Sequence, residues 1–187
     1  MTDKQLIKNC LQGKRDAQLA LYELYADSMM GICYRYTKSK ADAEDILQEG
    51  FIKVFTKLSQ FKNEGELGAW MRRIMVNTSI SYLHKHNRYK RDLQLDAVEM
   101  HPVSTDDPEI ILDIKELVEL IRTLPIGYQT VFNLVAVEGF SLVEVSKLLE
   151  SNENTIRSKY SRARNMLIAL LKKNEAVQEI RNYAERF

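Results

Sequence analysis

Glycine and proline are scarce in this chain, with seven Gly and three Pro in 187 residues. Inside a helix Gly costs about 1 kcal/mol and Pro about 3 kcal/mol relative to Ala, so their scarcity favours an all-helical fold. Cysteine is scarcer still. Cys10 and Cys33 are too few and too scattered for a disulfide frame or a zinc knuckle, which points to a reducing compartment. No stretch approaches the roughly 20 apolar residues of a membrane span, so no membrane insertion is expected. The amino terminus, "MTDKQLIKNC", lacks an apolar signal-peptide core. A cytoplasmic protein is expected. Apolar residues make up 45% and charged residues 28%, which places the chain among globular proteins rather than disordered ones.

Net charge is nearly absent too, at +1, but the charge is segregated. Between residues 72 and 91 there are six Lys/Arg and no acid. Between 96 and 119 there are eight acids against Lys115 alone, and between 151 and 173 six Lys/Arg against Glu153 alone. Two basic blocks therefore flank an acidic one. A polyanion feels the local field over a Debye length of about 8–10 Å in physiological salt, so the blocks matter more than their sum.

Apolar spacing supplies the helices. In "AQLALYELYADSMMGICYRYT" Leu21, Leu24, Tyr25, Met29, Ile32 and Tyr36 recur at helical intervals. Ser39 followed by Asp42 is a capping pattern that opens "KADAEDILQEGFIKVFTKL", whose Ile46, Leu47, Phe51, Val54, Phe55 and Leu58 share a face. A loop containing glycine, "FKNEGELG", precedes a helix whose buried stripe is expected at Trp70, Ile74, Met75, Thr78 and Tyr82. With a short helix over residues 2–13, these elements form one expected domain, residues 1–91. Periodicity then dissolves. Residues 92–107 read as a flexible acidic linker, and Pro108 suits the first turn of the next helix. Fully extended, such a linker spans at most about 55–60 Å. A second domain, residues 108–187, carries helices expected near 108–123, 126–138, 141–150 and 151–173, with Gly139 and Ser141 as caps. The tail from Asn174 either extends the last helix or docks on a partner.

The stretch "SLVEVSKLLESNENTIRSKYSRARNML" (residues 141–167) reads as a helix-turn-helix. Ile156, Tyr160, Ala163 and Leu167 can pack on Leu142, Val145 and Leu149, leaving Arg157, Ser158, Lys159, Ser161, Arg162 and Arg164 to face elsewhere. Ser151 can cap the second helix, and Glu153 complements its dipole. A major groove admits such a helix. Arg can fork onto guanine, Ser can meet several base edges, and Lys attracts phosphate. A solvated basic face on an ordinary core helix would look similar. Glu150 stands where many such turns carry Gly, so either the turn differs or it is slightly strained. In the first basic block, aromatic and Arg planes beside the "FKNEGELG" loop could stack on bases that leave a duplex, each stack contributing about 1–3 kcal/mol. His84 and His86 are two apart on a helix and diverge, so they cannot share a metal. No nucleophile–base pair, metal cluster or phosphate-cradling glycine loop stands out, so no catalytic residue, metal or cofactor is expected.

Three motifs in this order resemble the bacterial RNA polymerase sigma factors of the extracytoplasmic-function (ECF) group. "DAEDILQEGFIKVF" (residues 42–55) is similar to the helix by which such factors dock on the polymerase clamp helices. "FKNEGELGAWMRRIMVNTSISYL" (61–83) is similar to the part that melts and reads the minus-ten element. "LPIGYQTVFNLVAVEGFSLVEVSKLLESNENTIRSKYSRARNML" (124–167) is similar to the domain that reads the minus-thirty-five element. The resemblance implies core-polymerase contacts at Asp45, Gln48, Glu49 and Phe51. It implies a loop of Lys62, Asn63 and Glu64 around a flipped base, with Asn77 beneath it and Arg72, Arg73, Lys85 and Arg88 nearer the backbone. Arg157, Ser158, Lys159, Ser161 and Arg162 would face the upstream element. The implied partners are core RNA polymerase, promoter DNA as duplex and as melted strand, and an anti-sigma factor able to mask both modules. The acidic linker resembles the strap that passes near the RNA exit route. A regulator that binds duplex operators as a symmetric dimer would need neither the acidic helix at Asp45 nor a strand-separating surface.

Overall fold

The computed structural model describes residues 3–62, 65–86 and 114–184, with side-chain detail as far as residue 173. Among the described residues every regular element is a helix, as the scarcity of Gly and Pro predicts. The chain divides into two compact units, Met1–Asn87 and Arg88–Phe187. The expected linker, the Pro108 cap and the site positions Asn63, Glu64 and Arg88 lie outside the described residues.

In the first unit, α1 (Asp3–Leu11), α2 (Arg15–Tyr34), α3 (Lys40–Lys57) and α4 (Leu67–Lys85) enclose one core. Helices α2, α3 and α4 pack pairwise on one another, and α1 rests on α2. Ser39 caps α3 as its sequence predicts, its hydroxyl accepting the Asp42 N–H at 3.1 Å. The α2 stripe runs through Leu21, Met29, Ile32, Cys33 and then Tyr36, all buried. Leu24 lies off that stripe and is 61% exposed, contrary to its expected place in the core. On α4 the buried set is Leu67, Met71, Met75, Val76, Thr78, Ser79, Ile80 and Leu83. Trp70, Ile74 and Tyr82 are only half-buried. Met75 and Thr78 are buried as expected; the rest of the buried set shifts because α4 is covered by α2 and α3 together and so buries two adjoining faces.

Two contacts set the α3–α4 seam. Gly50 lets the helices approach, and a Cβ built there would overlap the sulfur of Met75, which is itself fully buried. The Tyr82 hydroxyl donates to Asp42 Oδ1 at 2.7 Å, so the first turn of α3 is tied to the last turns of α4. Cys33 is fully buried between α2 and α4, and burial pushes its thiol up to about 12, partly offset by hydrogen bonding that includes Ser79. A thiol held neutral in this way is inert.

The second unit contains α5 (Ile114–Thr123), α6 (Ile126–Phe132), α7 (Leu142–Leu148) and α8 (Glu153–Ala184). Leu120, Ile121 and Leu124 pack with Ala163 and Leu167 of α8, and Tyr128, Phe132 and Met166 line the same cluster. The helix expected over 126–138 changes pitch part way. Asn133–Val137 forms a π-helical turn in which the Glu138 N–H bonds to the Asn133 carbonyl at 2.9 Å. Such turns cluster at functional sites. Gly139 (φ +76) then takes the left-handed conformation that its C-capping role requires. The tail question is settled as far as Ala184, because α8 continues through it without a break.

Candidate nucleic-acid interface

The second unit builds a helix-turn-helix from local chemistry. Ser141 and Glu144 form a capping box: the Ser141 hydroxyl accepts the Glu144 N–H at 3.2 Å, and Glu144 Oε2 accepts the Ser141 N–H at 2.8 Å. At the far end of α7 the Ser151 N–H reaches the Ser146 carbonyl at 2.9 Å, with Glu150 left-handed at φ +49. This is a Schellman-type ending with Glu where Gly is usual. Of the two alternatives left by the sequence, the turn is ordinary and its residue is strained. The cap of α8 is Asn152 rather than Ser151. Its side chain accepts the Asn154 N–H at 2.8 Å, and the helix begins at the next residue, Glu153.

The buried side of α8 carries Ile156, Ala163 and Leu167, with Tyr160 half-buried and stacked on Phe132 at 6.2 Å. Arg157, Ser158 and Ser161 are exposed, and Arg162 is half-buried. Lys159 departs from expectation, being only 3% exposed. It lies three residues after Ile156 and four before Ala163, both fully buried, so helical geometry turns its stem into the unit rather than toward a groove. A lysine stem buries readily when its ammonium finds partners. Asn154 and Arg164 are exposed and complete the stripe with Arg157, Ser158 and Ser161. The three-and-four spacing of these five residues was the available signal for Asn154. Arg157 is held by Glu153 across one turn at 2.8 Å.

The first unit presents two further strips. On α3, Asp45, Gln48 and Glu49 are exposed along with Glu44, and Ile52 stands 66% exposed beside them. Phe51, expected among the surface contacts, is 4% exposed and packs on Tyr22 in a tilted arrangement with ring centroids 4.6 Å apart. It falls in register with Leu47 and Val54 on the core side, so it supports the strip without presenting a surface. Ile52 lies off the apolar face of α3, and nothing in the spacing singled it out as a surface contact.

On α4, Arg73, Asn77, Ser81 and Lys85 succeed one another at intervals of four and are all exposed. Arg72 is exposed as well, about 100° round the helix from Arg73. The structure therefore brings Arg73, Asn77 and Lys85 onto one edge and leaves Arg72 off it. Lys62 is exposed where the loop before α4 begins, and Phe61 next to it packs on Trp70 with ring centroids 5.5 Å apart. His86 stacks on Tyr82 at 4.1 Å. Among the described residues no group of His, Cys, Asp and Glu could hold a metal, and no helix is long and apolar enough to cross a membrane.

With this geometry established, similarity to known proteins is extensive. Residues 21–89 match the family described as sigma-70 region 2, and residues 114–167 match sigma-70 region 4. The ECF RNA polymerase sigma-E factor of Haemophilus influenzae is 30% identical over 178 residues, covering 89% of this chain and 94% of that protein. The ECF RNA polymerase sigma factor SigW of Bacillus subtilis is 28% identical over 181 residues, covering 89% and 95%. Among solved structures, the sigma factor RpoE of Bartonella quintana, in complex with the anti-sigma factor NepR, superposes with a TM-score of 0.50 at 24% identity. That match covers 82% of this chain and 95% of the other, and it speaks for the fold.

Proposed function

This chain belongs to the ECF RNA polymerase sigma factors, which direct promoter-specific transcription initiation, and we propose how its surfaces divide that task. Residues 1–91 bind core polymerase and open the minus-ten element, 92–107 form the strap, and 108–187 read the minus-thirty-five element. One observation carries the division: the first unit exposes an acidic strip on α3 and a basic, amide-bearing strip on α4, two helices packed directly together. A protein that only gripped duplex DNA would have no use for the acidic strip, which phosphate would repel.

In this reading Glu44, Asp45, Gln48 and Glu49 meet cations of the polymerase around an apolar contact at Ile52. Lys62 and the neighbouring Asn63 and Glu64 surround an extruded base, Asn77 lies below it, and Arg73, Lys85 and Arg88 meet backbone phosphates. Arg72 contributes charge from the side. Asn154, Arg157, Ser158 and Ser161 enter the major groove, with Arg162 and Arg164 toward phosphate. Lys159 serves these residues from within. Stacking and phosphate contacts separate the strands, so the chain itself carries out no bond chemistry. It works in the cytoplasm, and an anti-sigma partner of the kind seen with the Bartonella protein would silence it by covering the same strips.

Each module alone makes few phosphate contacts, and net attraction is weak at a formal charge of +1. Polymerase makes the two grips simultaneous, raising the effective concentration of the second once the first is made. The test is to add the purified chain to core polymerase and sequence the transcripts. New start sites sharing two spaced elements are expected. Unchanged start sites, or promoter duplex binding by the free chain as tight as that of the assembled enzyme, would reject the reading.

A further inference from the structure

One lysine belongs to neither strip and touches both of their helices. Lys53, on the flank of α3, pairs through Nζ with Glu49 at 2.7 Å and donates to the Thr78 hydroxyl of α4 at 3.3 Å. Thr78 is 1% exposed and adjoins Asn77 in sequence. The Lys53 side chain is 34% exposed and that of Glu49 52%. The ammonium is therefore anchored against the nucleic-acid helix while its charge is compensated by a carboxylate of the acidic strip.

We propose that Lys53 is a cation held in reserve, masked by Glu49 in the free protein and unmasked toward promoter phosphates when the polymerase takes Glu49. The exchange is physically easy. An ion pair this exposed is weak and competes with water and salt, whereas a partner cation that buries Glu49 at an interface holds it far more strongly. Lys53 cannot follow Glu49 into that contact without leaving Thr78. Left behind with three N–H donors and one hydroxyl partner, its ammonium adds one positive charge at the seam of α3 and α4. The acidic strip thus limits the affinity of the free chain for stray nucleic acid, and docking lifts that limit. This inference rests on the reading of α3 as the polymerase-facing helix.

The test compares Lys53→Gln with Lys53→Arg in the full chain. Gln keeps a donor for Thr78 and most of the stem, so the fold is retained, and only the charge is removed. Two readings are taken: association of labelled protein with core polymerase, and the salt dependence of promoter binding by the assembled enzyme. Lys53→Gln should leave core association unchanged or tighten it up to about threefold, because Glu49 is no longer paired in advance. It should also lower the salt slope of promoter binding by about 1. Lys53→Arg should restore the slope. A merely structural lysine would weaken core association, and its removal would leave the slope alone. Either result overturns the proposal. If charge reversal at Asp45 abolishes core association while the Lys53→Gln slope stays at the wild-type value, only this inference fails. If charge reversal at Asp45 leaves core association intact, the parent reading fails with it.

Discussion

Helix α4 of the first unit buries eight residues along its length, from Leu67 to Leu83. Over residues 153–167 helix α8 of the second unit buries only Ile156, Lys159, Ala163 and Leu167. Both helices expose Arg and amide side chains, but they stand on different foundations. On α4 a narrow exposed edge lies over a core shared by three helices, so most changes disturb packing and binding together. On α8 a broad exposed stripe lies beside a small core, and contacts can change with little effect on the fold. Strand opening needs a rigid platform to hold an extruded base, whereas groove reading needs freely projecting side chains. The division of burial fits the proposed division of labour.

The largest expected effect tests whether the first unit truly has two independent faces. Asp45→Lys should reduce association with core polymerase by about a hundredfold or more, the range for a charge pair lost at an interface. Its unfolding midpoint should match that of the wild type, since Asp45 is exposed. Titration of labelled protein against core enzyme and a thermal melt give the two answers. Gly50→Ala comes next and probes the rigid platform. Its methyl group needs Met75 to move within a filled core, so urea denaturation should show a loss of about 1–3 kcal/mol.

In the second unit a pair of neighbours separates contact from support. Arg157→Ala should relax base preference at one position of the upstream element by about 1–3 kcal/mol, read by competition among single-base variants, with stability unchanged. Lys159→Ala should do the reverse, lowering the stability of the unit and weakening all sequences alike. Equal behaviour of the two variants would erase the distinction between the stripe and its backing. The smallest effect concerns the turn. Glu150→Gly should raise stability by about 0.5–1 kcal/mol, because glycine adopts φ +49 without a Cβ penalty.

Much of this was legible in the sequence, for identifiable reasons. Ser39 and Ser141 announced their helices because capping chemistry is local, and Gly139 marked a stop because only a left-handed residue ends α6 and its π-helical turn in that way. Periodicity left Arg157, Ser158 and Ser161 off the packed face, and they are exposed; Asp45, Gln48, Glu49 and Asn77 were singled out by the family resemblance, and they are exposed too. What escaped depends on contacts between helices. Lys159 was placed on the surface as a basic residue and Phe51 was implied as a contact by motif position, although register turns both inward. Leu24 was placed inside because it is apolar and falls at helical spacing, yet it is 61% exposed. The change to π pitch at Asn133 left no periodic mark, since one widened turn shifts the pattern by a single residue.

The continuity of α8 has a practical consequence. At 1.5 Å per residue, the 32 residues from Glu153 to Ala184 make a rod of about 48 Å, and Ala184 lies about 30 Å along it from Arg164. A fluorophore or affinity handle fixed there would travel as a lever arm with the exposed stripe around Arg157. Small rotations of the module during promoter search would become measurable displacements, with no label near the bases.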